Sequence, residues 1–233
     1  MPRPPSPSPP PTPWSRWHVA VTETAPRGPL CLSLANTRNW RNAAAPLEHL
    51  NAYPDLLRWG ERQQLLDAAE ALRLTALAAS RPRQARAELA ATVALREAVY
   101  RVFSARAHGR APPRDDLALF GAGFNDAVGQ LELSLEDGKL APRPRRADGG
   151  LEALRVHASL SAVALFTSPQ GAKVKECADD RGCGWLFVDT TRNGSRRFCF
   201  SNECGNRARQ VAFRRRHRPS EDATHDAAHA GAR

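Results

Sequence analysis

Apolar positions recur at helical spacing through most of the chain and stop at residues that cannot continue a helix. Leu65, Leu66, Ala69, Leu72 and Ala76 keep a three-to-four spacing that predicts a helix from Leu65 to Ala79. Arg81-Pro82 breaks it, and Pro82 suits the first turn of the next helix, where its missing N–H has no partner to lose. Leu89, Val93, Ala94, Val99, Val102 and Phe103 carry that helix from Ala85 to Ala107, before Gly109 and Pro112-Pro113. Asp115 or Asp116 starts another through Leu117, Phe120, Phe124 and Val128. Leu151, Leu154, His157, Ala158, Ser161 and Leu165 form a last long helix, ended by Ser168-Pro169. A shorter helix opens at Asn51 or Pro54, runs through Leu56, Leu57 and Trp59, and ends at Gly60.

Strand patterns are few. Trp17 to Val21 alternates loosely, and Leu30 to Leu34 is a short apolar run after the turn Arg27-Gly28-Pro29, so a small β element is predicted there. Leu131 to Leu135 alternates apolar with polar, and Glu136-Asp137-Gly138-Lys139 closes it into a hairpin. The fold class is therefore mainly α with small β elements. No internal repeat is visible. The proline-rich start predicts a disordered tail over residues 1–15, a mainly helical domain over 16–168, a separate small module over 169–218 and a second tail over 219–233.

That small module carries the chemistry. Four of the five cysteines fall in it, as Cys177-x5-Cys183 and Cys199-x4-Cys204, with fifteen residues between the pairs. Such pairs suggest one tetrahedral ion held by four thiolates from two turns folded onto each other. Glycines beside Cys183 and Cys204 let the backbone turn tightly at the ligands. Trp185 to Asp189, a turn containing Asn193-Gly194, and Arg196-Arg197-Phe198 predict a β-hairpin between the pairs. Asn206 to about Arg216 holds no glycine or proline and predicts a helix. Knuckle, hairpin and helix describe a treble-clef-like finger. Four thiolates also hold iron–sulfur clusters, but the hairpin-and-helix frame favours zinc. One Zn²⁺ with four protein ligands leaves no position for a substrate, so it is read as structural. The fifth cysteine, Cys31, is read as a small buried hydrophobe.

Charge sharpens this picture. The chain carries a formal +10, and Lys173 to Arg218 holds twelve Lys/Arg against five Asp/Glu, hence +7 of it. A concentrated positive end favours a polyanionic partner. No apolar run approaches the roughly 20 residues of a membrane span, and Met1 to Pro13 has no apolar stretch of a secretory leader. A cytoplasmic location with reduced thiols and no membrane partner is expected.

These segments resemble a known pair of families. Cys177-Ala178-Asp179, Gly182 to Asp189, Ser195-Arg196-Arg197-Phe198-Cys199 and Cys204-Gly205-Asn206-Arg207-Ala208 resemble the CGNR zinc finger family. Leu30 to Thr37, Trp40-Arg41, Leu95 to Tyr100 and Thr167-Ser168-Pro169 are similar to its usual partner, the ABATE domain. The chain places five residues between the first two cysteines where the finger family usually has four, with Arg181-Gly182 filling the gap. The resemblance implies a stress-responsive bacterial transcription regulator.

DNA is the partner expected on that reading. Arg207, Arg209, Arg214, Arg215 and Arg216 would meet phosphates, supported by Arg196 and Arg197, with Asn206, Arg207 and Gln210 as base-edge candidates. Arg207, so close to Cys204, could instead brace the finger. RNA is the other polyanion, although Trp185, Phe187, Phe198 and Phe200 read better as a miniature core than as a stacking platform. Asn36, Thr37, Trp40 and Arg41 could line a pocket for a small-molecule or protein effector, or Asn36 and Thr37 could make local backbone hydrogen bonds. The alternative function is a zinc-stabilised interaction or ligand-sensing module without DNA contact. No phosphate loop, nucleophile elbow or His/carboxylate metal motif suggests an enzyme, and His157 is read as a satisfied core residue.

Overall fold

The computed structural model describes residues 28–136, 139–144 and 150–217, so both predicted tails and the Trp17–Val21 strand lie outside the described residues. The first described element corrects an expectation. Leu30–Ala35 is a helix, α1, not a strand. Five of its six residues are buried, and an apolar run buried all round has no period to separate helix from strand. Short strands β1 (Arg38–Asn39) and β2 (Leu47–Glu48) pair antiparallel after it.

Helix α2 spans Tyr53–Arg62, with Pro54 in its first turn and the Asp55 carboxylate accepting the Asn51 and Ala52 N–H groups. Gly60 lies inside α2 rather than ending it. A Cβ there would meet both Leu154 methyls at 2.8 and 2.9 Å, so the glycine serves close packing. Helix α3 (Ala68–Ser80) starts later than Leu65, because Asp67 and Glu70 cap each other's backbone N–H groups and leave Leu65 and Leu66 in the preceding turn. Pro82 opens α4 (Pro82–Ala107), the longest helix, and α5 (Arg114–Gly129) follows. The hairpin is present as β3 (Leu131–Glu136) paired antiparallel with β4 (Lys139–Pro144), and α6 (Ala153–Thr167) completes the body.

α4 is the axis of the core. α5 and α6 pack on it, and α1 sits against both α4 and α6. Leu34, Leu56, Leu95, Val99, Phe103 and Leu154 meet there, all essentially inaccessible. Ion pairs lace the outer contacts: Arg101 to Asp116, and Arg155 to both Glu88 and Asp126. Cys31 is fully buried with its thiol pushed up to about 12 by burial, as a small hydrophobe should be. His157 departs from the expected satisfied core residue. Its Nδ1 is buried with no partner among the described residues, and burial lowers its pKa to about 4, which keeps it neutral.

A 3₁₀ turn (Pro169–Lys173) leads to β5 (Val174–Glu176), which pairs antiparallel with β6 (Leu186–Val188). This corrects the predicted hairpin. β6 pairs with residues before the first cysteine, not with Arg196-Arg197-Phe198. The reason is Asp189, whose buried carboxylate accepts from Lys175, the Thr191 hydroxyl and the N–H groups of Thr191 and Arg196. That closes residues 190–196 into a loop on itself. Val174, Leu186 and Val188 join the main core, while Phe187 faces the cysteines. The last helix, α7, spans Cys204–Arg216.

Candidate metal centre

Two of the ligands sit where a regular element ends or begins, and Cys183 and Cys199 lie in the irregular backbone between them. Cys177 follows β5, its N–H bonded to the Trp185 carbonyl at 2.8 Å, and Cys204 opens α7. The four sulfurs of Cys177, Cys183, Cys199 and Cys204 lie within 4.8 Å of one another, and all four residues are buried. Cys183 to Cys199 is 3.7 Å and Cys199 to Cys204 is 3.8 Å. A tetrahedron of Zn–S bonds of about 2.3 Å has edges of about 3.8 Å. A disulfide needs sulfurs about 2.0 Å apart, and a cluster spreads its thiolates around several irons. The donor set fits one structural Zn²⁺, and Cys177, Cys183, Cys199 and Cys204 are the residues that would hold it.

Protonation chemistry agrees with a cation. Hydrogen bonds from Cys183 and Cys199 lower the Cys177 thiol, the same pairing raises Cys183 and Cys199, and burial raises Cys204. One sulfur ionises readily, and the others do so only against its negative charge, which a divalent ion offsets. The N–H of Cys199 donates to the Cys177 sulfur at 3.4 Å, and backbone N–H groups of Asp179 and Trp185 point at Cys177 and Cys183.

The knuckle between the first two cysteines carries a feature the sequence reading missed. The Asp179 carboxylate is fully buried and accepts from the Arg181 N–H, Nε and Nη2 at 3.0, 3.0 and 2.8 Å. Arg181 holds its carboxyl well below the usual carboxylate range. Arg181 also stacks on Trp40, 4.8 Å from the ring centroid. Gly182 and Gly184 take positive φ of 88° and 67°. A Cβ on Gly182 would stand 2.5 Å from the backbone of Asn42 and Ala43, so the knuckle can dock on that loop only through glycine. The Asn42 N–H donates to the Gly182 carbonyl at 3.0 Å, and the Arg41 N–H to that of Cys183 at 3.3 Å. The Arg181-Gly182 pair thus joins the metal loop to the helical body. Gly205, by contrast, is ordinary right-handed helix.

The predicted arginines divide into two groups. Arg196 donates Nε to the Phe198 carbonyl at 2.9 Å and Nη2 to that of Cys199, with its guanidinium over Phe187. Arg207 pairs with Asp179 and Asp180, and Arg209 with the Ser201 carbonyl at 2.9 Å. These three brace the finger. Arg197 has only the Phe198 ring, 5.9 Å away. Arg214 and Arg216 are exposed on α7, no described carboxylate pairs with either, and the Arg215 side chain lies outside the described ones. α7 as a whole makes at most isolated contacts with the other described elements.

The four candidate pocket residues gather at the seam between body and finger. Asn36 pairs with both backbone groups of Leu186, Nδ2 donating to the carbonyl and Oδ1 accepting the N–H, each at 2.9 Å. Thr37 donates to the Leu34 carbonyl at 2.7 Å and accepts from Arg96. Arg41 forks onto Glu97 at 2.7 and 3.1 Å and lies 3.9 Å over Tyr100. Arg96, 1% exposed, joins the same network through Glu97 and Glu48. Trp40 packs beside the cysteines. A cleft of about 630 Å³ opens along this seam, bordered by Asn36 and Thr37 but not by Arg41.

Two family models match this architecture. The ABATE model, described as "Putative stress-induced transcription regulator", matches residues 28–169, more than half of the chain. The CGNR zinc finger model matches residues 173–217. Neither describes an enzyme family. No curated protein matches the chain. No helix among the described residues is long and apolar enough to cross a membrane.

Proposed function

Because the chain belongs to the ABATE family of stress-induced transcription regulators and ends in a CGNR zinc finger, we propose that it binds duplex DNA through α7. The N-terminal domain senses an effector, and the zinc fixes where α7 starts. One observation carries this reading. α7 begins at a metal ligand, shares at most isolated contacts with the other described elements, and holds arginines but no acidic residue from Cys204 to His217. In the body, Arg96, Arg101 and Arg155 are each matched to carboxylates, whereas no described carboxylate pairs with Arg214 or Arg216. Unmatched cations on a projecting helix suit phosphates.

Arg214 and Arg216, with Arg215 between them, are the proposed phosphate contacts, and Arg197 the supporting one. Arg196, Arg207 and Arg209 act by holding the finger's shape. Asn206 and Gln210 are the candidates for base edges. The test is fluorescence anisotropy of the zinc-loaded protein on duplex DNA across a salt series. Each phosphate contact contributes about 0.9 to the negative slope of log K against log salt. Arg214→Ala/Arg216→Ala should weaken binding and flatten the slope by about 2. Unchanged slope and affinity refute the assignment, and absence of salt-sensitive duplex binding favours a protein-interaction module instead. The same titration on single-stranded RNA separates the two polyanions.

A further inference from the structure

We infer that the cleft between the helical body and the finger is a binding site for a small planar aromatic carboxylate that carries an N–H or O–H donor. This deepens the effector-sensing part of the reading above and does not depend on DNA contact.

The cleft is about 630 Å³, within the range of small-molecule sites. Its walls come from both modules: Leu32, Trp59 and Gln63 from the body, Trp185, Leu186 and Phe200 from the finger. Trp185 and Phe200 stand edge to face, ring centroids 5.7 Å apart, and Phe200 is 38% exposed where it borders the cleft. Such walls favour a flat apolar body.

Two further features set its polar ends. Gln63 is 8% exposed and its Oε1 is buried without a hydrogen-bond partner among the described residues. Buried polar atoms are nearly always paired, and a ligand N–H or O–H would complete this one once the Gln63 amide, whose Oε1 presents almost no surface to the cleft, turns toward it. Charge defines the other end. Arg62 and Arg196 border the cleft, with His49 nearby, and no described carboxylate lines it. Two guanidiniums against the metal-binding Cys199 thiolate that also borders the cleft leave its lining net positive, which favours an anion. Arg196 is already committed to two carbonyls, which leaves exposed Arg62 to meet the carboxylate.

The experiment uses the full zinc-loaded chain without DNA, so its outcome stands apart from the DNA test. Indole-3-acetate supplies ring, N–H and carboxylate; 1-naphthaleneacetate lacks the N–H, and 3-methylindole lacks the carboxylate. Calorimetry and quenching of tryptophan fluorescence give the affinities. Indole-3-acetate should bind saturably and about tenfold more tightly than either analogue. Gln63→Leu should weaken indole-3-acetate by about tenfold and leave 1-naphthaleneacetate unchanged, because only the former uses the amide. Phe200→Ala, on the finger side, should weaken both. Gln63→Leu also removes an unpaired buried atom, so it should keep its bound zinc and melt no lower than the wild type, which separates lost binding from lost folding. Absence of saturable binding up to millimolar probe overturns the proposal. So does equal affinity for indole-3-acetate in the wild type and in both variants.

Discussion

Asn36→Ala is the sharpest test of how the finger is fixed to the body. The Asn36 carboxamide pairs with the N–H and the carbonyl of Leu186, both at 2.9 Å, and so occupies the edge of β6 that faces away from β5. Leu186 is 1% exposed with Asn36 in place. Removing a partner from a buried polar group costs about 1–3 kcal/mol, so two such groups lose about 2–6 kcal/mol. With a urea slope of about 2 kcal/mol per molar, the unfolding midpoint should fall by about 1–3 M. Trp185 fluorescence reports the transition beside the substituted contact. Asn36→Asp should be no better: it keeps an acceptor for the N–H but sets a carboxylate against the Leu186 carbonyl. A loss under about 0.5 kcal/mol for Asn36→Ala, with an unchanged slope, would refute the view that this side chain bolts the modules together.

Three other outcomes follow from the same geometry. Gly182→Ala should lower the melting temperature while one zinc stays bound, because its Cβ meets the Asn42–Ala43 backbone at 2.5 Å. Gly194→Ala, also at positive φ but in open space, should cost only about 1–2 kcal/mol. Chelating the zinc should strip hydrogen-exchange protection from residues 205–216 while α4 keeps its own, since α7 starts at a ligand and shares at most isolated contacts with the other described elements. Glu97 and Glu48 both titrate below the ordinary glutamate range: burial opposes this, and their bonds to Arg41 and Arg96 outweigh it. Their contribution to stability is therefore complete above about pH 4.3 and is lost as pH falls through the depressed folded-state values. Glu97→Gln should shrink the stability difference between neutral and acid pH relative to wild type, with zinc release common to both and cancelling. An identical acid limb would remove the carboxylate network from the account.

The helices were legible because each buries one stripe against the core, and a stripe leaves a period in the sequence. α4 is the clearest case, from Pro82 at its first turn to the apolar series ending at Phe103. α1 was misread because it buries nearly every side. The cysteine spacing announced a metal, since ligand chemistry tolerates few substitutes. The partner of β6 was hidden, because Asn193-Gly194 looked like a hairpin turn while the folding of that loop depends on Asp189 and Lys175, fourteen residues apart. Asp179 was hidden too. An aspartate near a ligand reads as solvated until Arg181 and Arg207 are seen converging on it. Likewise, nothing local marked Asn36 as the partner of Leu186, 150 residues away.

The division of labour among the finger's parts follows from what each part touches. β5 and β6 are continuous with the core of the body, and the first knuckle is locked to the loop after β1 through Gly182 and Cys183. That half of the finger moves only if the body does. The other half, from Cys199 onward, is joined to the first through the cysteine cluster, the Arg207 pairs with Asp179 and Asp180, and the Phe200 ring against Trp185. Phe200 is the link between the two regimes: its ring borders the seam cleft, and its carbonyl accepts the Gly205 N–H at 2.9 Å. Arg209 then reaches back to the Ser201 carbonyl. The carbonyls of Phe200 and Ser201 thus tie the first two turns of α7 to the loop that borders the cleft, and Cys204 ties the start of the same helix to the cysteine cluster.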